Sequence, residues 1–328
     1  MQFTHQIAFP ALSKTFKDAV QFTIALGIEY IWIDSLCIIQ DSAEDWRFEA
    51  SLMCLVYSNA WVTLAATSSS DGNGGLFHAE NKTIPQKLLI EATWKGHTPG
   101  IYMCVDENAW DRQILHGPLN TRAWVLQEQI LSPKTIHCAY DQIWWSCSST
   151  TPCCNETFPS GVPAQTTFLT CFDPLAEMRR EETGDLISLN ESWESIVQTY
   201  TQRDLTYGSD KLVALAGIAE AASQLMGVPK DSYLAGLWRC DLIVDLLWRA
   251  AGNAFRPEGY RAPSWSWASI DGEAYFHSSI TRERARHSSI AKIIEAQVTP
   301  VQDVLGSVST GYIILEGMYS SPKPCVLS

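Results

Sequence analysis

Polar side chains around the end of the apolar segment YIWIDSLCII, residues 30–39, are the first candidates for chemistry. Asp34 lies inside this segment, and Gln40 and Asp41 directly follow it. Ligands and catalytic groups collect beyond the carboxyl ends of parallel strands, so a site is expected here. A buried charge on Asp34 needs a partner, and we expect Arg122 to supply it. The alternative is that Asp34 and Gln40 only tie down loops.

A second carboxylate follows on the next predicted helix. Ser42 and Asp45 have the spacing of a capping box. Trp46, Glu49, Met53 and Tyr57 then recur at three- and four-residue intervals on one helical face. A glutamate that points inward from this face can transfer protons or bind a sugar hydroxyl, while Trp46 shapes the pocket. The alternative is that Glu49 only complements the dipole at the start of the helix.

The segment LNTRAWVLQEQIL, residues 119–131, contributes a third group. The helix predicted over residues 120–131 contains Arg122 and places Trp124, Gln127 and Glu128 on one face. Such a face is either the polar wall of a pocket or an ordinary contact between a helix and a sheet. In the first case Glu128 is a third candidate acid or base, and the other three side chains contribute to binding.

Composition limits the classes of partner. The chain has 328 residues, 46% of them hydrophobic and 18% charged, which is enough for a large core and about two domains. Lys and Arg total 23 against 36 Asp and Glu, so the formal net charge of −13 argues against nucleic-acid binding. No apolar run is long enough to span a membrane, and no secretion signal is present at the N-terminus. We therefore expect a cytoplasmic location.

No metal or cofactor site is predicted. Cys147, Cys153 and Cys154 form a C-x5-CC group that lacks the second close pair of ligands a zinc site needs, and we interpret them as loop cysteines. The remaining cysteines, such as Cys37, are typical of reduced residues in a core. The loop SSSDGNGGLF, residues 68–77, lacks the Lys of a phosphate-binding loop and the G-x-G-x-x-G spacing.

The pattern of elements predicts an α/β fold. A helix over 12–26 ends before Gly27, and the nearly continuous apolar run at 30–39 is typical of a strand buried on both faces of a parallel sheet. The capped helix follows, and then a strand over 60–67. Further strands are predicted at 86–92, 100–105, 135–140 and 142–147, with the helix of Trp124 between the second and third of them.

Three regions follow from this pattern. Residues 1–150 are predicted to form the α/β domain, and the Ser-, Thr- and Pro-rich residues 151–190 a linker or insertion. Residues 191–328 are predicted to be mostly helical and rich in Trp, with helices at 191–203, 210–226 and 232–252. In RAPSWSWASIDG, residues 261–272, Trp265 and Trp267 would share one face of a strand with Arg261 stacked on a ring, either as packing or as a ligand-binding wall.

Five blocks of the sequence together resemble the fungal heterokaryon-incompatibility (HET) domain family. They match in order and spacing between about residues 12 and 272, and they are YIWIDSLCIIQDSAEDWRFEASLMCLVYSNAWVTLAATSSSDGNGGLF, LNTRAWVLQEQILSPKTIHC, YTQRDLTYGSDKLVALAGIA, YLAGLWRCDLIVDLLW and RAPSWSWASIDG. The resemblance implies a fungal protein of non-self recognition and programmed cell death. It also implies a parallel sheet like that of Toll-receptor-type (TIR) domains, with a site at Asp34, Gln40, Asp41, Trp46, Glu49, Arg122, Trp124, Gln127 and Glu128.

The sequence departs from the family pattern at its start. HET domains usually open with a strand of the form Y-x-x-L-S-Y-x-W-G, whereas only MQFTHQIAFP precedes the first predicted helix here. We therefore expect a sheet without its first strand. The loop after that strand would help to form a nucleotide pocket, so its absence argues against a nucleotide-cleaving activity by analogy with TIR domains.

Two functional hypotheses remain open from the sequence. The first is a HET protein that works through contacts with protein partners. The second is a HET-like accessory enzyme in a secondary-metabolite cluster, acting on a small apolar metabolite as a cyclase, isomerase, dehydratase or hydrolase. In the second case Asp34, Glu49 or Glu128 would carry the acid and base chemistry. An inactive fragment with an unprotected sheet edge is a third interpretation.

Overall fold

A computed structural model describes the chain at residues 6–77, 88–96, 98–104, 106, 108–148, 150–161, 175, 178–179, 185–288 and 291–317. It divides into two compact units, Met1–Asp173 and Pro174–Ser328. Both units combine helices with strands. Parallel pairing occurs in the first unit, so the predicted α/β class is confirmed at this level.

The first unit contains four α-helices and six strands among its described residues. They are α1 (Lys14–Ala25), α2 (Asp34–Cys37), α3 (Ala43–Ser58), β1 (Thr63–Ala65), β2 (Leu88–Ala92), β3 (Gly100–Cys104), α4 (Trp124–Leu131), β4 (Lys134–Cys138), β5 (Ile143–Cys147) and β6 (Thr150–Asn155). One sheet has the order β1-β4-β5-β6, in which β1 and β4 are parallel and the other pairs antiparallel. β2 and β3 form a separate antiparallel hairpin.

The predicted helix starts are confirmed at α1 and α3. The Ser13 hydroxyl accepts a hydrogen bond from the Phe16 amide at 3.4 Å, and Gly27 follows α1 with a left-handed φ of 72°. The Ser42 hydroxyl accepts from the Asp45 amide at 3.1 Å, and the Asp45 carboxylate accepts from the Ile39 amide at 2.7 Å. These local bonds satisfy backbone donors that a helix start leaves free.

The predicted strand at 30–39 is wrong. Residues 28–33 are neither helix nor strand, and α2 occupies Asp34–Cys37, with Cys37 exposed rather than in the core. The run is not buried on both faces either, since Tyr30 is 84% exposed. An apolar run does not by itself specify a strand, because a strand also needs a neighbouring strand for its hydrogen bonds. Among the described residues no strand pairs with this segment, and α2 instead makes local bonds such as Cys37 N–H to the Ile33 carbonyl at 2.8 Å.

Helices cover both faces of the sheet at β1. Ala19 of α1 packs in a cluster with Leu64 and Cys138, on one face. Thr63 lies next to Leu64 in β1, and its hydroxyl is 2.7 Å from the hydroxyl of Ser132, the residue that follows α4. Because successive side chains of a strand point to opposite faces, α1 and the end of α4 lie on opposite faces of the sheet.

The cysteines predicted to lie in a loop belong to strands. Cys147 ends β5, and Cys153 and Cys154 lie in β6, which pairs with β5 at Trp145 and Cys154. Cys153 is buried and disulfide-bonded, whereas the Cys154 thiol is free. The Ser- and Thr-rich composition of this segment concealed a strand, since turn-forming residues flank it on both sides.

The second unit is mixed rather than mostly helical. Its described elements are α5 (Leu186–Thr201), α6 (Val213–Met226), β7 (Tyr233–Leu234), β8 (Leu237–Trp238), α7 (Leu242–Asp245), β9 (Arg249–Ala250), β10 (Ala274–Tyr275), α8 (Ser279–Ser288), β11 (Ala291–Pro300) and β12 (Val308–Gly317). The helices predicted at 191–203 and 210–226 are confirmed as α5 and α6. The long antiparallel hairpin β11-β12 had no counterpart among the predicted elements.

Of the helix predicted at 232–252, only the short α7, Leu242–Asp245, is an α-helix. The segment begins with the hairpin β7-β8, whose turn residues Ala235 and Gly236 have φ values of 47° and 101°, outside the helical region. The Gly236 carbonyl accepts hydrogen bonds at 3.0 Å from the indoles of both Trp193 and Trp267. Buried side chains from elsewhere in this unit therefore hold the turn, and the local sequence does not reveal them.

The segment 261–272 does not form the predicted strand either. Trp267 begins a short 3-10 turn and is fully buried, while Trp265 is only half-buried. Arg261 does not stack on a tryptophan ring in the way we expected. Its guanidinium donates to the Ala268 and Ile270 carbonyls at 2.8 Å each and pairs with Asp271 at 2.8 Å. These contacts fit the packing interpretation of the segment.

Candidate functional site

A cavity of about 540 Å³ lies in the first unit, beside β1. Two continuous stretches of the chain line it, residues 30–34 and residues 60–66, and residues of α1, α3 and α4 complete the wall. Most of the lining is apolar, which is typical of pockets that bind small molecules or peptide segments. The charged side chains in the lining are Asp34, Arg122 and Glu128.

Tyr57 of α3 is the polar centre of this cavity. Its hydroxyl shares a hydrogen bond with the Glu128 side chain of α4, and its ring packs edge to face against Trp32 at 5.8 Å. Burial raises the pKa of Tyr57 far above its usual value, and the negative charges of Glu128 and Asp34 raise it further, while Arg122 acts in the opposite direction. The phenol therefore keeps its proton and donates a hydrogen bond to the Glu128 carboxylate.

This arrangement has a definite chemical capacity. A carboxylate that is held by a neutral phenol can accept a hydrogen bond from a ligand or take a proton from it. Asp34 adds a second acceptor, and the exposed Arg122 adds a positive charge. The cavity thus combines apolar walls with a polar end that carries more negative than positive charge.

Three of the nine sequence-predicted site residues line the cavity together, namely Asp34, Arg122 and Glu128. The direct pair expected between Asp34 and Arg122 is absent, since no ion pair joins them in the part of the chain that the structure describes. Asp34 instead accepts a hydrogen bond from the Ser35 amide at 2.6 Å. Its carboxylate is half-buried, so water can also solvate it.

Gln40 and Asp41 lie next to the cavity wall and are not part of its lining. The Gln40 side-chain amide donates to the Ile38 carbonyl at 2.9 Å and to the Asp34 carbonyl at 3.3 Å, which closes the turn after α2. Asp41 is exposed. These contacts are those of residues that tie down a loop, the alternative that the sequence left open for Gln40.

The remaining predicted residues lie where α3 meets α4. Trp46 and Trp124 pack edge to face at 6.3 Å and join the two helices. Gln127 is buried and Glu49 is half-buried, and neither belongs to the described lining of the cavity. The predicted face of Trp124, Gln127 and Glu128 is therefore divided between a helix contact and the cavity.

Sequence reasoning did not select Tyr57 as a site residue. The helical periodicity that places Tyr57 on this face was present in the sequence, because Tyr57 continues the spacing of Trp46, Glu49 and Met53 along α3. What the sequence does not contain is the meeting of Tyr57 with Glu128, which lies 71 positions further along the chain.

Two further searches concern metals and membranes. Within the described ranges, no group of three or more His, Cys, Asp or Glu side chains is arranged to hold a metal ion. None of the helices in those ranges has the length and apolar character needed to span a membrane.

Comparison with known proteins identifies the segment that builds the cavity. The family model described as heterokaryon incompatibility protein (HET) matches residues 2–128, which include α1 to α3, β1 and most of α4. Comparisons with curated proteins and with solved structures gave no match. Asp34, Tyr57, Arg122 and Glu128 all lie within the matched segment. Residues 2–128 of the chain are therefore similar to the heterokaryon-incompatibility (HET) domain.

Proposed function

We propose that this protein acts in fungal non-self recognition, in the heterokaryon-incompatibility class that triggers cell death, through contacts with protein partners in the cytoplasm. The match of residues 2–128 to the HET family carries the proposal. Large exposed side chains support protein contacts, since Ile24, Tyr30 and Trp61 of the matched segment are 68%, 84% and 62% exposed. A TIR-like sheet is part of the proposal, and the parallel pairing of β1 with β4 supports it.

Induced expression in a fungal host tests this function. We expect the wild-type protein to arrest growth, and the double variant Tyr30→Ser, Trp61→Ser to restore growth at the same protein level because it removes apolar contact surface. Tyr207→Ser is the matched control, since Tyr207 is 69% exposed in the second unit, and it should still arrest growth. Normal growth of the wild type on strong induction, with no change in the NAD level, would refute the proposal.

The cavity favours a second candidate, an accessory enzyme that acts on a small apolar metabolite in a secondary-metabolite cluster. The specific observation is the Tyr57 and Glu128 pair at the polar end of a mostly apolar cavity. In this function Glu128 or Asp34 transfers the proton and Tyr57 holds Glu128 in place. Glu49 is a weaker candidate than the sequence suggested, because it does not line the cavity.

Metabolite profiling of a deletion strain tests the enzyme. Complementation with Glu128→Gln or Asp34→Asn should lower the product by about 10²-fold or more, the usual effect of losing an acid or base. Glu49→Gln is the matched control and should restore the product. If the two cavity variants fold and leave the product profile unchanged, the protein is not this enzyme. Flanking polyketide synthase, terpene cyclase or oxygenase genes would favour it.

A further inference from the structure

The cavity beside β1 is lined by chain edges rather than by side chains alone. Residues 30–34 line it without a gap, and residues 60–66 do the same from the other side. Side chains of the strand β1 alternate between two faces, yet Thr63, Leu64 and Ala65 all line the cavity, so the backbone edge of β1 faces it. We call the space between these two runs the slot.

Within the described residues, each edge of the slot includes backbone groups without hydrogen-bond partners. β1 is the terminal strand of its sheet, and its outer edge pairs with no strand among the described residues. On the opposite wall, Ile28 donates to the Thr23 carbonyl, but no hydrogen bond in the described ranges involves the backbone of residues 29–32. Trp32 in this run is half-buried. Unpaired backbone groups along a strand edge can pair with an added strand, so the slot favours an occupant that brings its own donors and acceptors.

Helices cover the slot on two sides. Phe16 and Ala19 of α1 line it on one face of the sheet, and Tyr57 and Glu128 line it on the other side, from α3 and α4. The first pair is apolar and the second is a hydrogen-bonded polar pair. An extended segment in the slot would therefore place apolar side chains toward α1 and hydrogen-bonding side chains toward α4, with the two types alternating along its sequence.

The charges in the slot set the charge of the occupant. Asp34 and Glu128 contribute two negative charges, and the exposed Arg122 contributes one positive charge. The surplus is negative and lies on the polar side. A segment with one basic side chain on its polar face compensates this surplus, whereas an acidic segment meets repulsion.

We propose that the slot binds an extended segment of a partner protein, which inserts as a strand between residues 30–34 and β1. The segment has about five to seven residues, the length of the two walls, with apolar residues alternating with polar ones and one Lys or Arg on the polar face. The inference rests on the proposed action through protein partners. It adds that the partner is recognised through an extended segment.

Peptide binding followed by hydrogen exchange tests this inference on the full chain. The probe is a capped peptide of about ten residues that alternates Val or Ile with Ser or Thr and carries one central Lys. We expect saturable binding, with slowed exchange of amides in both runs, 30–34 and 60–66. A control peptide with Pro at alternate positions lacks the donors and should not bind. Binding of both peptides alike, or no slowed exchange in either run, would overturn the proposal.

Reversing the charge at Asp34 gives a second readout, which is independent of hydrogen exchange. Asp34→Lys should weaken the Lys peptide about tenfold and strengthen a peptide with Glu at the same position, which corresponds to about 1.4 kcal/mol. Circular dichroism reports whether the variant folds, and Asp41→Lys, an exposed position outside the slot, is the matched control. Unchanged affinities for both peptides in folded Asp34→Lys would contradict the proposal, as would slowed exchange that depends on protein concentration alone, since a second copy would then fill the slot.

These outcomes separate the inference from the proposed function. If the peptide binds with the expected exchange pattern but the fungal host shows no growth arrest, segment binding in the slot is supported and the cell-death function is refuted. Growth arrest without peptide binding supports the function and refutes the slot.

Discussion

His137 shows how tertiary burial changes the chemistry of one residue. It lies in β4, where its Nε2 is 3.1 Å from the Ser146 hydroxyl and its ring packs edge to face with Trp110 at 5.2 Å. Its Nδ1 is buried without a hydrogen-bond partner in the described part of the chain. Burial lowers the pKa of His137 to about 4, so the ring stays neutral near pH 7.

This histidine should make stability depend on pH. Between about pH 6.5 and pH 4 the unfolded chain binds a proton that the folded protein does not, so the free energy of unfolding falls as the pH falls, by up to about 3 kcal/mol. We expect His137→Phe to lose this part of the dependence, as measured by urea unfolding across that range. His116→Asn, at an exposed histidine, should keep the wild-type dependence. Parallel curves for wild type and His137→Phe would contradict this assignment.

Tyr57 offers a second test at the scale of one residue. Tyr57→Phe removes the hydroxyl that supports the Glu128 carboxylate, so a half-buried charge loses a hydrogen bond. We expect the free energy of unfolding to fall by about 1–3 kcal/mol. Tyr30→Phe is the matched control, because Tyr30 is 84% exposed, and it should have no measurable effect. Equal effects of the two substitutions in urea unfolding would show that the Tyr57 hydroxyl has no special role.

At the scale of the element, the turn between β7 and β8 depends on glycine. Gly236 has a φ of 101°, and a Cβ at this position would lie 2.6 Å from the Trp267 ring. We expect Gly236→Ala to cost about 2–4 kcal/mol, since it combines backbone strain with a clash in the core. Gly227, after α6, has a φ of 64° and open space around its Cβ position. Gly227→Ala therefore introduces backbone strain without a clash. It should lower the free energy of unfolding, measured by thermal unfolding, by only about 1 kcal/mol.

Helices α5, α7 and α8 meet at a buried cluster of charges. Arg282 of α8 is almost fully buried and pairs with Glu194, with Asp241 at 2.7 Å and with Asp245 at 3.1 Å, and Arg286 pairs with Asp241 at 2.5 Å. Carboxylates outnumber guanidinium groups in this cluster. Burial raises the pKa of Asp245 well above its usual value, and the charge of Asp241 adds to this effect.

The two aspartates should respond differently to neutral substitution. Asp245→Asn replaces a carboxylate whose charged form is disfavoured by burial. We therefore expect the free energy of unfolding to change by no more than about 1 kcal/mol at pH 7. Asp241→Asn removes the partner of two arginines and should cost about 3–5 kcal/mol. The folded protein holds the Asp245 proton to higher pH than the unfolded chain, so wild type should gain stability relative to Asp245→Asn as the pH falls. The opposite trend in urea unfolding would refute this explanation.

At the scale of the whole molecule, each unit has its own buried core. The first contains clusters around Trp144 and Cys138, and the second buries Trp193, Trp238 and Trp267 completely. We expect calorimetry to resolve two transitions, because compact units with separate cores unfold cooperatively on their own. Tyr57→Phe should lower the midpoint of one transition and Gly236→Ala that of the other. A single transition that both substitutions shift together would contradict this expectation.

The sequence by itself determined the features that depend on neighbouring residues in the chain. The caps at Ser13 and Ser42 and the periodicity of the apolar residues specify α1 and α3, and the same periodicity specifies α5 and α6. The order of the motifs indicated the similarity to the HET domain that residues 2–128 show, and the charge of −13 is fixed by composition. These features need no knowledge of what packs against each element.

Only the tertiary structure decided what the apolar runs become and which polar residues meet. The run at 30–39 had the composition of a strand, yet it forms a segment without strand pairing and then a short helix. The run at 232–252 had the composition of a helix, yet it begins with a hairpin. Hydrogen bonds from distant residues decide between these conformations, and a local pattern does not contain them. The contact of Tyr57 with Glu128 has the same origin, because packing of α3 against α4 creates it.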